Sequence, residues 1–302
     1  MRITKETQLS GHNAAIFALQ VESDGRHLLS GAGEGWVARW DLQQPDTGKL
    51  LARIDNRVFS LCHLESQDTL VIGNMDGGVH WVNLSDPGKT RNVAHHQKGV
   101  FDLVLHRDSL FSAGGDGLLS RWNIHSGRAM ESLQLSSQPL RCLAFHPGRR
   151  ELAVGSSNRQ IYLLDPDSLE IKKNIPQAHG HSVFSLCYSP DGRLLLSGGR
   201  DAHLKAWDLQ QDGTLLTSLP AHLFTINSIA FHPGGRMFAT GSRDKTVKIW
   251  DAEDFSLLKV LEGNRDGGHF NSVNKVCWTA QGDRLISAGD DRTLIVWRLD
   301  LD

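Results

Sequence analysis

Several kinds of protein are excluded by what this sequence lacks. It has no run of about 18 apolar residues, so no segment reads as a membrane-spanning helix. The N-terminal stretch MRITKETQLS has no apolar signal core. No long apolar period of 3.6 appears, so helix should be scarce. Charge of one sign is missing too. Lys and Arg number 32 against 34 Asp and Glu, a net charge of −2, which removes any global pull toward nucleic acid or an anionic membrane. Cysteine is sparse, with four in 302 residues. What the chain does have is 30 glycines and 39% hydrophobic residues, a composition suited to many short strands and turns.

The stretch Met237–Asp251, MFATGSRDKTVKIWD, shows how these are arranged. An apolar run ends in Thr240, a turn-forming cluster Gly241-Ser242-Arg243-Asp244-Lys245 follows, and Thr246–Trp250 then alternates apolar and polar. This reads as a β-hairpin closed by Trp250-Asp251. The same pattern recurs at Leu28–Asp41, Leu70–Asn83, Leu110–Asn123, Leu152–Asp165, Leu194–Asp208 and Arg284–Arg298. Its closing positions are Trp40, Val82, Trp122, Leu164, Trp207, Trp250 and Trp297, separated by 42, 40, 42, 43, 43 and 47 residues. A His stands four residues before a β-branched marker in five copies: His12 and Ile16, His96 and Val100, His179 and Val183, His222 and Ile226, His269 and Val273. Each copy divides into four candidate strands, in the first Ile16–Val21, His27–Gly31, Val37–Trp40 and Lys49–Ile54. Cys62, Cys187 and Cys277 each follow a marker (Val58, Val183, Val273) by four residues, so they should lie in separate repeats and not meet. With Cys142 they read as core filler in a reducing compartment, and a cytoplasmic location is expected.

Gly-His, then a turn Asp, then Trp-Asp, repeated in phase along the whole chain, resembles the WD-repeat (WD40) family. The resemblance implies an all-β fold: a seven-bladed β-propeller of four-stranded antiparallel blades, one domain over residues 1–302. The last repeat stops after three strands, at Trp297-Arg298-Leu299-Asp300. Ile3–Leu9 is therefore expected to supply the outer strand of the last blade and close the ring. The family also ties His, Ser/Thr, Asp and Trp of one blade into a hydrogen-bonded chain. Carried over, the sets are His96, Ser112, Asp116, Trp122; His179, Ser197, Asp201, Trp207; His222, Thr240, Asp244, Trp250; and His269, Ser287, Asp291, Trp297. Repeat 1 has His12, Ser30 and Trp40 but Glu34 for the Asp. Repeats 2 and 4 lose the set, with Ile72 and Val154 for the hydroxyl and Val82 and Leu164 for the Trp, and should cohere by apolar packing. A Ser–His–Asp hydrolase triad is a misreading of these sets, since copies spread round a ring cannot all be active sites and no G-x-S-x-G elbow accompanies them. His95-His96 and His179-Gly180-His181 have ligand-like spacing, but one His of each belongs to a blade set, so neither a metal nor another cofactor is expected.

In the family, the residue just after each marker faces the top of the ring at the channel mouth. Here these are Phe17, Phe59, Phe101, Arg141, Phe184, Asn227 and Asn274. They are expected to share that face with the pre-turn residues Gly33, Met75, Gly115, Ser157, Arg200, Arg243 and Asp290, and with Arg57, Ser182, Thr225 and Ser272. Four Phe gathered with four Arg is the composition of a protein-interface hot spot. The bland alternative is that the rings only plug the mouth. The insert Glu262–Gly268, EGNRDGG, is expected as a flexible top loop. The resulting expectation is a non-catalytic scaffold, monomeric, that binds an acidic or phosphorylated protein or peptide segment. Nucleic acid is the less expected partner, and a membrane is not one. The alternative is a small-molecule-binding or hydrolytic propeller that uses its central channel, which would need convergent acid, base or metal groups there.

Overall fold

The computed structural model describes residues 1–300. Their strands form seven four-stranded antiparallel sheets, taken from the chain in succession. The seven inner strands are Ile16–Val21, Val58–Leu64, Val100–His106, Leu140–His146, Val183–Tyr188, Ile226–Phe231 and Val273–Trp278. Each contacts the inner strands of both neighbours, and the last touches the first. The end at which inner strands begin is the top.

Local chemistry sets the hairpins. At the bottom of blade 1 the Gly25 amide donates to the Glu22 carbonyl from a φ of +66°. Asp24 Oδ1 accepts from the Arg26 and His27 amides, so the chain turns without strain. The third strand of blade 1 spans Trp36–Asp41 and the outer strand Gln44–Arg53, which begins earlier than expected because Asp41 pairs with Gln44 directly across a tight turn. Helix is scarce, as the sequence implied: among the described residues there are two 3₁₀ turns and the four-residue turn Gly263–Asp266. That turn is a correction, because it folds the insert expected as a flexible loop. Its αL residue Gly267 is held by Lys5 Nζ, which donates to the Gly267 carbonyl at 2.8 Å.

Strand alternation gives every blade two apolar faces, and each face packs on the next blade. Seven clusters of buried side chains result, one per blade junction. The junction of blades 7 and 1 joins Ile286, Leu294 and Val296 to Ile16, Leu28 and Trp40, so the ring is closed. Blades approach closely where the second strand carries glycine: a Cβ on Gly31 would lie 2.4 Å from Val58 of blade 2, and one on Gly198 2.6 Å from Ile226 of blade 6.

Closure is completed as expected. Arg2–Ser10 pairs antiparallel with Thr293–Asp300, from Arg2 opposite Asp300 to Ser10 opposite Thr293, and buries Ile3 and Leu9. The inner strands still present one free edge each to the channel, and side chains of the preceding blade cap these edges. Gln20 accepts from the His63 amide, Asp102 from the Leu143 amide and Ser228 from the Val276 amide. Ser60 donates to the Val100 carbonyl.

Candidate functional site

The polar sets lie inside the blades. In blade 6 the Trp250 indole donates to Thr240 Oγ1 at 2.9 Å. The Thr240 hydroxyl meets His222 Nε2 at 2.7 Å, and His222 Nδ1 meets Asp244 at 2.8 Å. Blades 3, 5 and 7 repeat this around Ser112, Ser197 and Ser287. Blade 1 completes it as well: the extra methylene of Glu34 is absorbed in the turn, and its Oε1 reaches His12 Nδ1 at 2.5 Å. For the indole to donate and the carboxylate to accept, the hydroxyl must donate to Nε2 and the imidazole to the carboxylate, which requires the neutral Nδ1–H tautomer. Burial, opposed by the partner carboxylates, lowers His96 and His222 below their ordinary value and favours that neutral form. Burial would raise Asp201, but bonds from His179 and from the Gly180 and His203 amides outweigh it and hold the carboxyl at about 2. The five hydroxyls are fully buried, so no substrate can reach them.

Blades 2 and 4 lack the set. Val154 and Leu164 pack apolar in blade 4. In blade 2 the indole is shifted by one residue to Trp81. A one-residue shift reverses the face, so Trp81 packs against Trp122 of blade 3 with ring centroids 6.2 Å apart.

The top presents different chemistry. Every inner strand has a register shift at one position, and the residues skipped are Phe17, Phe59, Phe101, Arg141, Phe184, Asn227 and Asn274. A β-bulge re-aims the extra side chain, and here it does so identically in all seven blades. The rings form an arc. Phe17 meets Phe59 edge-on at 5.4 Å and Phe59 stacks on Phe101 at 5.4 Å. The Arg141 guanidinium carbon lies 4.3 Å from the Phe101 ring centre and 5.2 Å from that of Phe184. Asn227 and Asn274 close the circle by donating to the Val273 and Ile16 carbonyls of the following blades, each at 2.9 Å, and Asn274 also donates to Asp290. Each pre-turn amide donates to the carbonyl just before the marker, as Met75 to Arg57, Arg200 to Ser182 and Arg243 to Thr225. The three sets of positions therefore adjoin.

Arg141 is bonded through Nε alone, to Ser157 Oγ at 2.9 Å. Burial, reinforced by nearby Arg200, pulls its guanidinium below its ordinary value. The channel beneath, about 280 Å³, is lined by Ser60, Cys62, His63, Asp102 and Lys275 among others. Asp102 is committed to the Leu143 amide, and burial pushes the Cys62 thiol up to about 12, far from a reactive thiolate. His95 is taken up by Ser120 and meets Trp122 edge-on, with ring centroids 4.6 Å apart. At the bottom of blade 1, Glu22, Asp24 and His27 bring ligand-type atoms within 4.8 Å of one another, but Arg39 holds Glu22 and His27 holds Asp24. The cysteines are free.

Sequence reasoning missed one top feature. Leu223, Phe224 and Phe270 are 82%, 57% and 66% exposed. Leu223 and Phe270 directly follow their blade His, where other blades have Asn13, Gln97 and Gly180, so comparing that position across repeats would have found them.

The family model "WD domain, G-beta repeat" matches residues 3–41, 129–165, 172–208, 213–251 and 256–298. The chain is 30% identical over 297 residues to the WD repeat-containing protein SL1-17 of Schistosoma mansoni, covering 96% of this chain and 81% of that protein. It is 24% identical over 204 residues to WD repeat-containing protein 90 of Xenopus tropicalis, of which it spans 11%. In fold it matches the WD40 β-propeller domain of Doa1, with a TM-score of 0.85 at 20% identity and coverage of 99% and 97%. No helix among the described residues is long and apolar enough to cross a membrane. The repeats, the closed ring and these matches place the chain in the WD40 repeat family, whose propellers generally serve as protein-interaction scaffolds.

Proposed function

We propose that this propeller, a single platform over residues 1–302, is a non-catalytic cytoplasmic scaffold. Its top face and channel mouth bind a protein or peptide segment bearing carboxylates or phosphates. One observation carries the reading. Arg141 is clamped between Phe101 and Phe184 with no carboxylate partner, so its terminal nitrogens await an anion in a desolvated aromatic setting. The surrounding charge supports it. Arg57, Arg200 and Arg243 enter no ion pair among the described residues. Of the acids there, Glu34, Asp116, Asp201, Asp244 and Asp291 are hydrogen-bonded to histidines, Asp290 to Asn274 and Asp76 to Asn56. Arg57, Arg141, Arg200 and Arg243 are thus the groups of that face left to meet an anion. Four unpaired thiols, two buried and two partly so, fit a reducing compartment, and a closed ring with few free edges fits a monomer.

The test compares proteins recovered from cytosolic extract by the wild-type chain, by Arg141→Gln and by Phe59→Ala/Phe184→Ala, quantified against one another. Each variant should keep its melting temperature and weaken the complex by about 2 kcal/mol. A partner retained equally by all three chains would remove the mouth from consideration.

A further inference from the structure

Blades 6 and 7 carry a constellation the others do not. In both, the residue after the blade His is large, apolar and exposed: Leu223 and Phe270. Its amide is fixed to the turn Asp of its own blade, Leu223 to Asp244 at 3.0 Å and Phe270 to Asp291 at 3.1 Å. The residue after that Asp is a cation, Lys245 or Arg292. Neither cation enters an ion pair among the described residues. Both sit in the left-handed backbone region, at φ +76° and +68°, where blades 1, 2 and 3 have Gly35, Gly77 and Gly117 at +84° to +89°. A side chain there is strained, and glycine relieves the strain. A cleft of about 320 Å³ runs between the two tops, with Asp244, Lys245 and Thr246 on one wall and Glu262, Asn264 and Phe270 on the other, and Asp244 is already taken up by His222. The folded insert builds that second wall, and Glu262 within it is occupied by Arg265.

We propose that this sector is a second docking patch. It takes the bulky apolar side chains of the same acidic segment, and Lys245, Arg292 and Arg243 pair with carboxylates beside those side chains. The partner is then an acidic segment interleaved with large apolar residues, not a purely acidic or phosphorylated one. The occupant follows from charge complementarity: the three most exposed apolar side chains among the described residues are flanked by cations that have no acidic partner. The inference rests on the reading that the top face binds an acidic segment, and the two fail separately in the following experiment.

Random peptides displayed on phage are selected on the purified chain, and the enriched peptides are measured by fluorescence anisotropy. The chains compared are wild type, Leu223→Ser/Phe270→Ser, Lys245→Gly/Arg292→Gly and Arg141→Gln. The first two variants change exposed side chains, and the glycine pair should melt no lower than wild type. Enriched peptides should carry acids with Leu or aromatic residues, and lose about tenfold in affinity on each sector variant. Peptides that bind the sector variants like wild type but lose affinity for Arg141→Gln overturn the second patch and leave the mouth standing. Peptides that lose affinity only on the sector variants uphold the patch and overturn the mouth. A selection that enriches nothing dependent on either overturns both. A concentration-dependent dimer of wild type that Leu223→Ser/Phe270→Ser abolishes also overturns the proposal, because a second copy then covers the sector.

Discussion

Blades 4 and 6 have the same strand order, the same bulge in the inner strand and the same hairpin between second and third strands, yet they cohere by different means. Blade 6 threads one polar chain from Trp250 through Thr240 and His222 to Asp244, which also accepts from the Leu223 and Thr246 amides. Blade 4 puts Val154 and Leu164 at the corresponding places, fully buried. Its polar ties are peripheral: Ser156 Oγ to the Pro139 carbonyl, and the Asn158 amide to the Tyr162 hydroxyl. The blade therefore arises from strand alternation, turn chemistry and packing on its neighbours. The network is a clamp added to a sheet that already exists, satisfying polar atoms that would otherwise be buried alone.

That distinction can be broken most severely at blade 7, which has the full clamp but borrows its outer strand from the far end of the chain. Removing residues 1–9 leaves the clamp and takes away the strand that buries Ile3 and Leu9. Melting should fall by more than about 10 °C or lose cooperativity, and an unchanged melting temperature would mean that closure is unimportant. A smaller, sharper contrast comes from exchanging the chemistry of the two blades. Thr240→Val keeps the shape and leaves the Trp250 indole and the His222 imidazole without their shared partner, at a cost of about 3 kcal/mol. Val154→Thr puts a hydroxyl where blade 4 offers no indole or imidazole, at a cost of about 1–3 kcal/mol. Urea denaturation measures both. A neutral Thr240→Val would show that the clamp is dispensable where it exists.

Much of this was legible in the chain. Spacing marked the seven repeats, and the family resemblance they carry implied the blades, the borrowed strand and the seven positions that turn out to be bulges, each of which follows an apolar marker whose place in the core is fixed. Three things were not legible, each for a physical reason. Glu34 looks wrong against the Asp of other blades, but one methylene is easily absorbed by a turn, so residue type underdetermines the contact. The edge caps of Gln20, Asp102 and Ser228 reach backbone about 40 residues ahead, and a backbone partner leaves no mark in the sequence. The insert Glu262–Gly268 reads as flexible from its glycines, yet Gly267 spends its freedom ending a helical turn that Lys5 then pins.

The smallest effect expected is also the most selective, because it separates clamped from unclamped blades in one sample. His96 and His222 are lowered by burial, and so are His95, against Trp122, and His106, against Phe145 of blade 4. Below the ordinary imidazole value of 6.5, an opened blade takes up a proton that the closed blade refuses. Protection is therefore full above that pH and drains away as pH falls toward the lowered folded values. Blade 3 holds three of these histidines and blade 6 one. Amide exchange measured from pH 7.5 to 5, corrected for intrinsic rates, should show blade 3 losing most protection and blade 6 less. Blade 4, whose closing positions are Val154 and Leu164, meets only His106 of these histidines, through Phe145, and should change less than blade 3. A uniform loss across all seven blades would mean that the proton acts on the ring as a whole, and the clamp would then be no blade-level device.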